Sequence, residues 1–131
     1  MVRADSDGRL TMANAGHLAP YLDGREIELD GGLPLGITGN AAYIEKTIML
    51  QAGSQLTLLT DGVVEARSAA GELFGFERTA EIAHSPAESI ARTVREFGQE
   101  DDITVLTIER LPVQEAAHSV TVNLSVGLAP A

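Results

Sequence analysis

The first part of the chain alternates apolar and polar residues with the period of two that is typical of half-buried β-strands. Residues 9–13 alternate in this way after a turn signal at residues 5–8, which predicts a hairpin with residues 2–4 as the partner strand. Asp23 and Gly24 are typical of a two-residue turn, so a second hairpin is predicted between residues 18–22 and residues 26–29. Two hairpins therefore open the predicted fold.

The next segment changes composition before it returns to strands. Residues 31–36 contain too much glycine and proline for a regular element. Residues 43–50 and 55–59 are predicted strands, and Ala52 and Gly53 form the turn that separates them. The second of these strands leads directly to Asp61.

Helical periodicity follows in residues 76–83 and 87–97. We predict Ser85 as the N-cap of the second helix, Pro86 as its first residue and Gly98 just past its end. One face of this helix is apolar and the opposite face is charged, which indicates packing against a core rather than a groove for a partner. The apolar face consists of Ile90, Val94 and Phe97, and the charged face of Glu88, Arg92 and Arg95.

A β-branched run at residues 103–108 predicts a central strand after the helices. Helices inserted between strands indicate an α+β domain. We assign residues 1–110 to this domain and residues 111–131 to a tail. Residues 120–126 alternate like a strand and are a candidate edge strand.

Composition excludes several classes of function. The net charge of −10 argues against binding to nucleic acid or to an anionic membrane. The chain has no cysteine, and His17, His84 and His118 do not have metal-ligand spacing, so any metal would be held by oxygen. Neither a signal-peptide pattern nor an apolar stretch of the roughly 18 residues that a membrane span needs is present, and a cytoplasmic location is the default expectation.

Two acidic segments are the strongest chemical candidates. Asp61 follows one predicted strand, and Asp101 and Asp102 precede another. Antiparallel neighbours place the end of one strand beside the start of the next, so these carboxylates are expected to meet at one sheet edge. Such a group would be a site for a hard cation. The alternative is an ordinary Asp-Gly turn and an ordinary solvated loop.

Five motifs in order resemble one protein family over about residues 2 to 109. They are Ala13-Asn14-Ala15-Gly16-His17, Leu33-Pro34-Leu35-Gly36-Ile37, the segment from Leu58 to Ala66 around Thr60-Asp61-Gly62, Leu73-Phe74-Gly75, and Asp101-Asp102-Ile103-Thr104. Together they resemble the SpoIIE branch of the PPM (protein phosphatase 2C-like) serine/threonine phosphatases.

The resemblance implies an α-β-β-α sandwich with mostly antiparallel strands, of which this chain would form a part. It also implies two Mg²⁺ or Mn²⁺ ions that activate a water for attack on a phosphoserine or phosphothreonine. Asp61, Gly62 and Asp101 match the family's metal-binding motifs, with Asp61 and Asp101 as the ligands and catalytic residues. Gly62 is expected to let the backbone pass close to the cluster. Asp102 is expected to support the connection to the strand rather than bind metal.

Asn14 and His17 are candidates for binding the substrate. They follow the end of a predicted strand, from which His17 could contact phosphate or protonate the leaving alkoxide. The alternative is that residues 14–17 form a simple turn whose polar groups bond to one another.

The resemblance also implies protein partners. In addition, it implies a segment of the family's domain that this sequence does not contain. Relatives commonly dephosphorylate a serine on STAS-type anti-anti-sigma proteins in bacterial stress or sporulation signalling. The family's opening Asp motif, which bridges both metals, does not occur in this sequence, so we expect the opening strands and a helix pair to be missing.

Three hypotheses remain open from the sequence. The chain is the C-terminal part of a phosphatase that needs the missing segment for activity, or a catalytically silent domain that binds a regulatory partner. The third is a truncated product without a function of its own, with uncovered strand edges. A homodimer also remains open.

Overall fold

A computed structural model describes residues 1–112 and 122–131. The strands are β1 (Val2–Ala4), β2 (Arg9–Ala15), β3 (Tyr21–Leu22), β4 (Arg25–Glu26), β5 (Gly31–Gly32), β6 (Glu45–Met49), β7 (Gln55–Leu59), β8 (Ile103–Arg110) and β9 (Val122–Ala129). The helices are α1 (Asp61–Val64), α2 (Gly75–Ile82) and α3 (Ala87–Phe97). Helices and strands together confirm the predicted α+β class.

The strands form two sheets whose pairings are mostly antiparallel. In the first sheet β2 lies between β1 and β6, and its last residues make a short parallel pairing with β5. The second sheet has the order β4-β3-β7-β8-β9, with every neighbouring pair antiparallel. The pairing of β7 with β8 is the one that positions the candidate site.

The structure has three layers, which are the first sheet, the second sheet and the helices, with an apolar core between each neighbouring pair. Leu10 and Met12 on β2 pack towards Leu56 and Ile108 on the second sheet, and all four side chains are buried. The opposite face of the second sheet packs against α1, α2 and α3. In this second core Ile90 and Val94 are fully buried and Phe97 packs at the margin, which confirms the apolar stripe predicted on α3.

Several predicted elements are confirmed, although their first or last residues differ from the prediction. The first hairpin forms between β1 and β2. The second is shorter than predicted, because β3 and β4 pair over only two residues each. The strand predicted at residues 43–50 spans Glu45–Met49, and the helix predicted at residues 76–83 spans Gly75–Ile82.

The prediction of Ser85 as the N-cap of α3 is wrong by one residue. Pro86 takes the N-cap position with φ −59° and ψ 145°, and its carbonyl accepts hydrogen bonds from the amides of Ser89 and Ile90. The Ser85 carbonyl instead accepts a hydrogen bond from Gln55 Nε2 at 3.0 Å. The Ser85 backbone thus contacts β7, and the N-cap of α3 lies one residue later than predicted.

The final strand β9 pairs with β8 along its whole length, from Arg110↔Val122 to Ile103↔Ala129. Gly127 lies against α3, where a Cβ atom would come within 2.3 Å of the Ala87 carbonyl oxygen. His118 and residues 120–121, the start of the predicted edge strand, lie outside the described residues. None of the helices in residues 1–112 and 122–131 has the length and apolar character needed to span a lipid bilayer.

Candidate active site

The end of β7 and the start of β8 are joined through Thr60. The Thr60 amide donates to the Thr104 carbonyl at 3.0 Å, and the Thr104 amide donates back to Thr60 Oγ1 at 3.0 Å. Thr60 is the N-cap residue of α1, yet its hydroxyl makes no capping bond to that helix. It instead fixes the start of the Asp61 helix against the neighbouring strand.

The two predicted carboxylates occupy similar local positions. Asp61 is the first residue of α1, and its Oδ1 accepts the Gly62 amide at 3.1 Å. Asp101 lies just before β8, and its Oδ1 accepts the Asp102 amide at 2.7 Å. Both aspartates are exposed. Each carboxylate is thus oriented by the amide that follows it while remaining open to solvent.

Gly62 brings the two loops into direct contact. A Cβ atom on Gly62 would lie 2.5 Å from the Asp102 carbonyl oxygen and 3.7 Å from the Asp101 carbonyl carbon. These are backbone atoms, which cannot move aside as a flexible side chain can. The absence of a side chain at Gly62 therefore allows the Asp61 segment to lie against the Asp101–Asp102 segment.

Asp61 and Asp101 nevertheless line different surface depressions. Asp61 contributes to a depression of about 190 Å³ that also includes Gly16, His17, Leu18 and Thr60. Asp101 lines a second one with Gly62, Glu65, Arg67, Leu73 and Glu100. The two predicted ligands thus face different depressions, and Glu65 and Glu100 add further carboxylates to the one that Asp101 lines.

Two residues at this site did not emerge from the sequence. Thr60 belongs to the Thr-Asp-Gly motif, which is the signal that could have identified it, whereas its bond to β8 depends on strand pairing. Glu65 ends the single turn of α1, where its amide bonds to the Asp61 carbonyl, and it lines the Asp101 depression. Glu65 lies within the motif from Leu58 to Ala66, but its place beside Asp101 was not predicted because the helical turn of α1 was not.

The described residues do not fit the two-ion site that the resemblance implies. Within residues 1–112 and 122–131 no group of three or more His, Cys, Asp or Glu side chains is placed to hold a metal ion. Asp102 does not extend the set readily, since its Oδ1 accepts the Ala131 amide at 3.0 Å. Two carboxylates are too few to offset the repulsion between two divalent cations.

Asn14 and His17 form the closed turn that the sequence left as an alternative. Asn14 Oδ1 accepts the His17 amide at 2.8 Å, and Asn14 Nδ2 donates to the His17 carbonyl at 2.8 Å. The His17 ring bonds through Nδ1 to the Leu18 carbonyl at 3.0 Å. Asn14 thus has a structural use, while His17 also lines the Asp61 depression.

We expect Asn14→Ala to lower the free energy of unfolding by about 1–2 kcal/mol, because it removes both side-chain bonds to the His17 backbone. Urea denaturation would measure the difference. Asn40→Ala is the matched control, since Asn40 is exposed in a loop, and it should change the stability little. If the two substitutions changed the free energy of unfolding equally, the bonds within the turn would contribute nothing to stability.

The α+β fold with its mostly antiparallel sheets is consistent with part of a PPM-type phosphatase domain, the class that the ordered motifs resemble. A family model described as Stage II sporulation protein E (SpoIIE) matches residues 1–111. The chain belongs to the SpoIIE family, as the resemblance predicted. Membership associates it with phosphatase-type hydrolases and with sporulation-related signalling in general, in a family that generally uses Mn²⁺ or Mg²⁺. Searches of curated proteins and of solved structures gave no match.

Proposed function

We propose that this chain forms part of a metal-dependent protein serine/threonine phosphatase, in which Asp61 and Asp101 are metal-binding carboxylates. The observation that carries the proposal is the contact between the Asp61–Gly62 and Asp101–Asp102 segments in a member of the SpoIIE family. Thr60 holds these segments together through its paired bonds with Thr104. The contact places both carboxylates at one end of the β7–β8 pair.

The remaining metal ligands of this proposed site come from outside the described residues. Asp61 and Asp101 supply only part of the oxygen ligands that hard divalent cations require. A further segment of a longer protein or a second chain would supply the others. The net charge of −10 favours a cation site in general, because an acidic protein raises the local concentration of cations.

The proposed substrate is a serine-phosphorylated STAS-type anti-anti-sigma protein, and the proposed setting is stress or sporulation signalling in the cytoplasm. Family membership supports both proposals. At the site, His17 shares the depression with Asp61 and is the candidate contact for a phosphoryl group. Asn14 contributes indirectly, by holding the His17 backbone.

Hydrolysis of a generic aryl phosphate by the purified chain tests the proposed activity. We expect only slow turnover, because one or two carboxylates without the remaining ligands would hold a cation weakly, and this turnover should require Mn²⁺ or Mg²⁺ and stop when EDTA is added. A small ester is the appropriate first substrate, because it reports on the chemical site without any requirement for protein docking. Absence of metal-dependent turnover in a protein with folded circular dichroism and a cooperative unfolding transition would contradict independent activity.

A second candidate function is binding of a regulatory partner without catalysis. The specific observation in its favour is that the described residues include no cluster of three metal-binding side chains. This candidate predicts stoichiometric binding of a STAS-type protein with no release of phosphate. Turnover of the bound phosphoprotein would contradict it.

A further inference from the structure

The end of strand β9 lies beside the loop that carries Asp101. The pairing of β8 with β9 places Ala129 opposite Ile103, which directly follows Asp102. The family model matches residues 1–111, so β9 and the residues after it lie outside the matched part of the chain. A strand beyond the family match therefore borders one of the two proposed metal-binding carboxylates.

Two side chains bond the Asp101 loop to residues 129–131. The side-chain amide of Gln99 has two hydrogens, and its Nε2 donates to the Asp101 carbonyl at 2.9 Å and to the Ala129 carbonyl. Asp102 Oδ1 accepts the Ala131 amide at 3.0 Å. The loop is thus joined to the end of β9 and the residues after it at two points.

Asp102 connects these bonds to the carboxylate of Asp101. While its side chain accepts the Ala131 amide, its own amide donates to Asp101 Oδ1 at 2.7 Å. Its carbonyl accepts a long hydrogen bond of 3.5 Å from Thr60 Oγ1. Because both its carbonyl and its carboxylate are held, the Asp102 amide points in one direction and orients the Asp101 carboxylate.

The end of β9 is a firm support for this arrangement. Ala129 is buried in the core between the second sheet and the helices, and Gly127 lies directly against α3. Packed residues of this kind have few alternative positions. Asp101 itself is exposed, and an exposed side chain without such restraint samples several rotamers. Bonds to the end of β9 therefore restrict a carboxylate that would otherwise move freely.

We propose that Asp102 is a positioning residue, which together with the end of β9 holds the Asp101 carboxylate in one orientation. This inference rests on the proposed function, in which Asp101 binds a divalent cation, and adds the residues that prepare this carboxylate for binding. A side chain that is ordered before it binds pays less entropy in the binding step. The role of Asp102 is thus to act through Asp101 and not to contact the cation.

The first test is the χ1 rotamer of Asp101, measured by NMR from the three-bond couplings of its β protons in the metal-free chain. We expect one dominant rotamer in the wild-type chain and averaging over several rotamers in Asp102→Ala. Asp102→Asn is the matched control, because it makes the same change in charge but keeps an oxygen that can accept the Ala131 amide. It should retain the dominant rotamer. Asp102 is exposed, so the fold should be retained in both variants, which thermal unfolding would verify.

Ala131→Pro tests the same bond from its other partner without a change in charge. Proline has no N–H group, so this variant cannot donate to Asp102 Oδ1, and Asp101 should again average over several rotamers. Ala131→Gly keeps the amide and should behave like the wild-type chain. One dominant Asp101 rotamer in both Asp102→Ala and Ala131→Pro would overturn the proposal, as would averaging in the wild-type chain.

Titration with Mn²⁺ shows whether this orientation serves the proposed site. We expect Kd to rise about tenfold in Asp102→Ala and in Ala131→Pro, at the low end of the usual range for residues that orient metal ligands. Asp102→Asn and Ala131→Gly should remain near the wild-type Kd. An unaltered Kd in Asp102→Ala and Ala131→Pro would overturn the positioning role. Equal weakening by Asp102→Asn and Asp102→Ala would also overturn it, because Asp102 would then be a ligand itself.

The two measurements separate a failure of this inference from a failure of the proposed function. The rotamer of Asp101 is measured without metal, so it decides whether Asp102 orients this carboxylate even if the chain binds no cation. No binding of Mn²⁺ by the wild-type chain would contradict the proposed function instead.

Discussion

Asp61→Asn is expected to reduce metal-dependent hydrolysis of an aryl phosphate by about 100-fold or more. The substitution keeps the size of the side chain and an oxygen that can accept the Gly62 amide, but it removes the negative charge that a divalent cation requires. Replacement of a residue that only orients a metal ligand typically lowers metal affinity or activity by about 10–100-fold. Replacement of a direct ligand should lower the activity at least as much. Initial rates at saturating Mn²⁺ would measure the loss.

Asp30→Asn provides the matched control for this prediction. Asp30 is exposed and immediately precedes β5, so its substitution makes the same change in net charge outside the depression that contains Asp61. We expect it to retain wild-type turnover. A folded Asp61→Asn variant that hydrolyses the ester as fast as Asp30→Asn would remove Asp61 from the proposed metal-binding set.

Gly62→Ala is expected to lower the free energy of unfolding by about 1–3 kcal/mol, the usual cost of forcing extra volume into a packed site. The new Cβ atom would lie 2.5 Å from the Asp102 carbonyl oxygen. To relieve that clash, the backbone of either α1 or the Asp101–Asp102 segment must move. Urea denaturation would measure the change in stability, and the aryl phosphate assay would show whether the separated loops still support turnover.

Gly39→Ala is the appropriate comparison for the glycine substitution. A Cβ atom at Gly39 would meet nothing within 4 Å, and the residue does not have a positive φ. We expect its stability to equal or slightly exceed that of the wild-type chain, since alanine reduces the entropy of the unfolded state. If Gly62→Ala were as stable as Gly39→Ala, the close approach of the two loops would be contradicted.

The strongest periodic patterns predicted their elements well. The helix predicted at residues 87–97 and the strand predicted at residues 55–59 have the bounds that were expected. In α3 the apolar positions recur once per turn, so one buried face is already specified by local sequence. The short helix α1 was not predicted. Its start depends on the bonds between Thr60 and Thr104, which only strand pairing creates.

The sequence predicted which backbone segments meet at the candidate site, but it did not predict which depressions their side chains line. Antiparallel pairing of β7 with β8 places Asp61 near Asp101, as the order of strands and aspartates indicated. The presentation of these carboxylates to separate depressions was not foreseen. It depends on the turn of α1 and on the amide that each carboxylate accepts.

The most direct test of the proposed metal site is a titration with Mn²⁺ in which electron paramagnetic resonance measures the concentration of the free ion. We predict weak binding by the wild-type chain, because one or two carboxylates hold a hard cation that keeps several of its waters. Asp61→Asn and Asp101→Asn should each weaken this binding, and Asp30→Asn should preserve it. Unchanged binding in both site variants, or no binding by the wild-type chain, would contradict a role for Asp61 and Asp101 in holding metal.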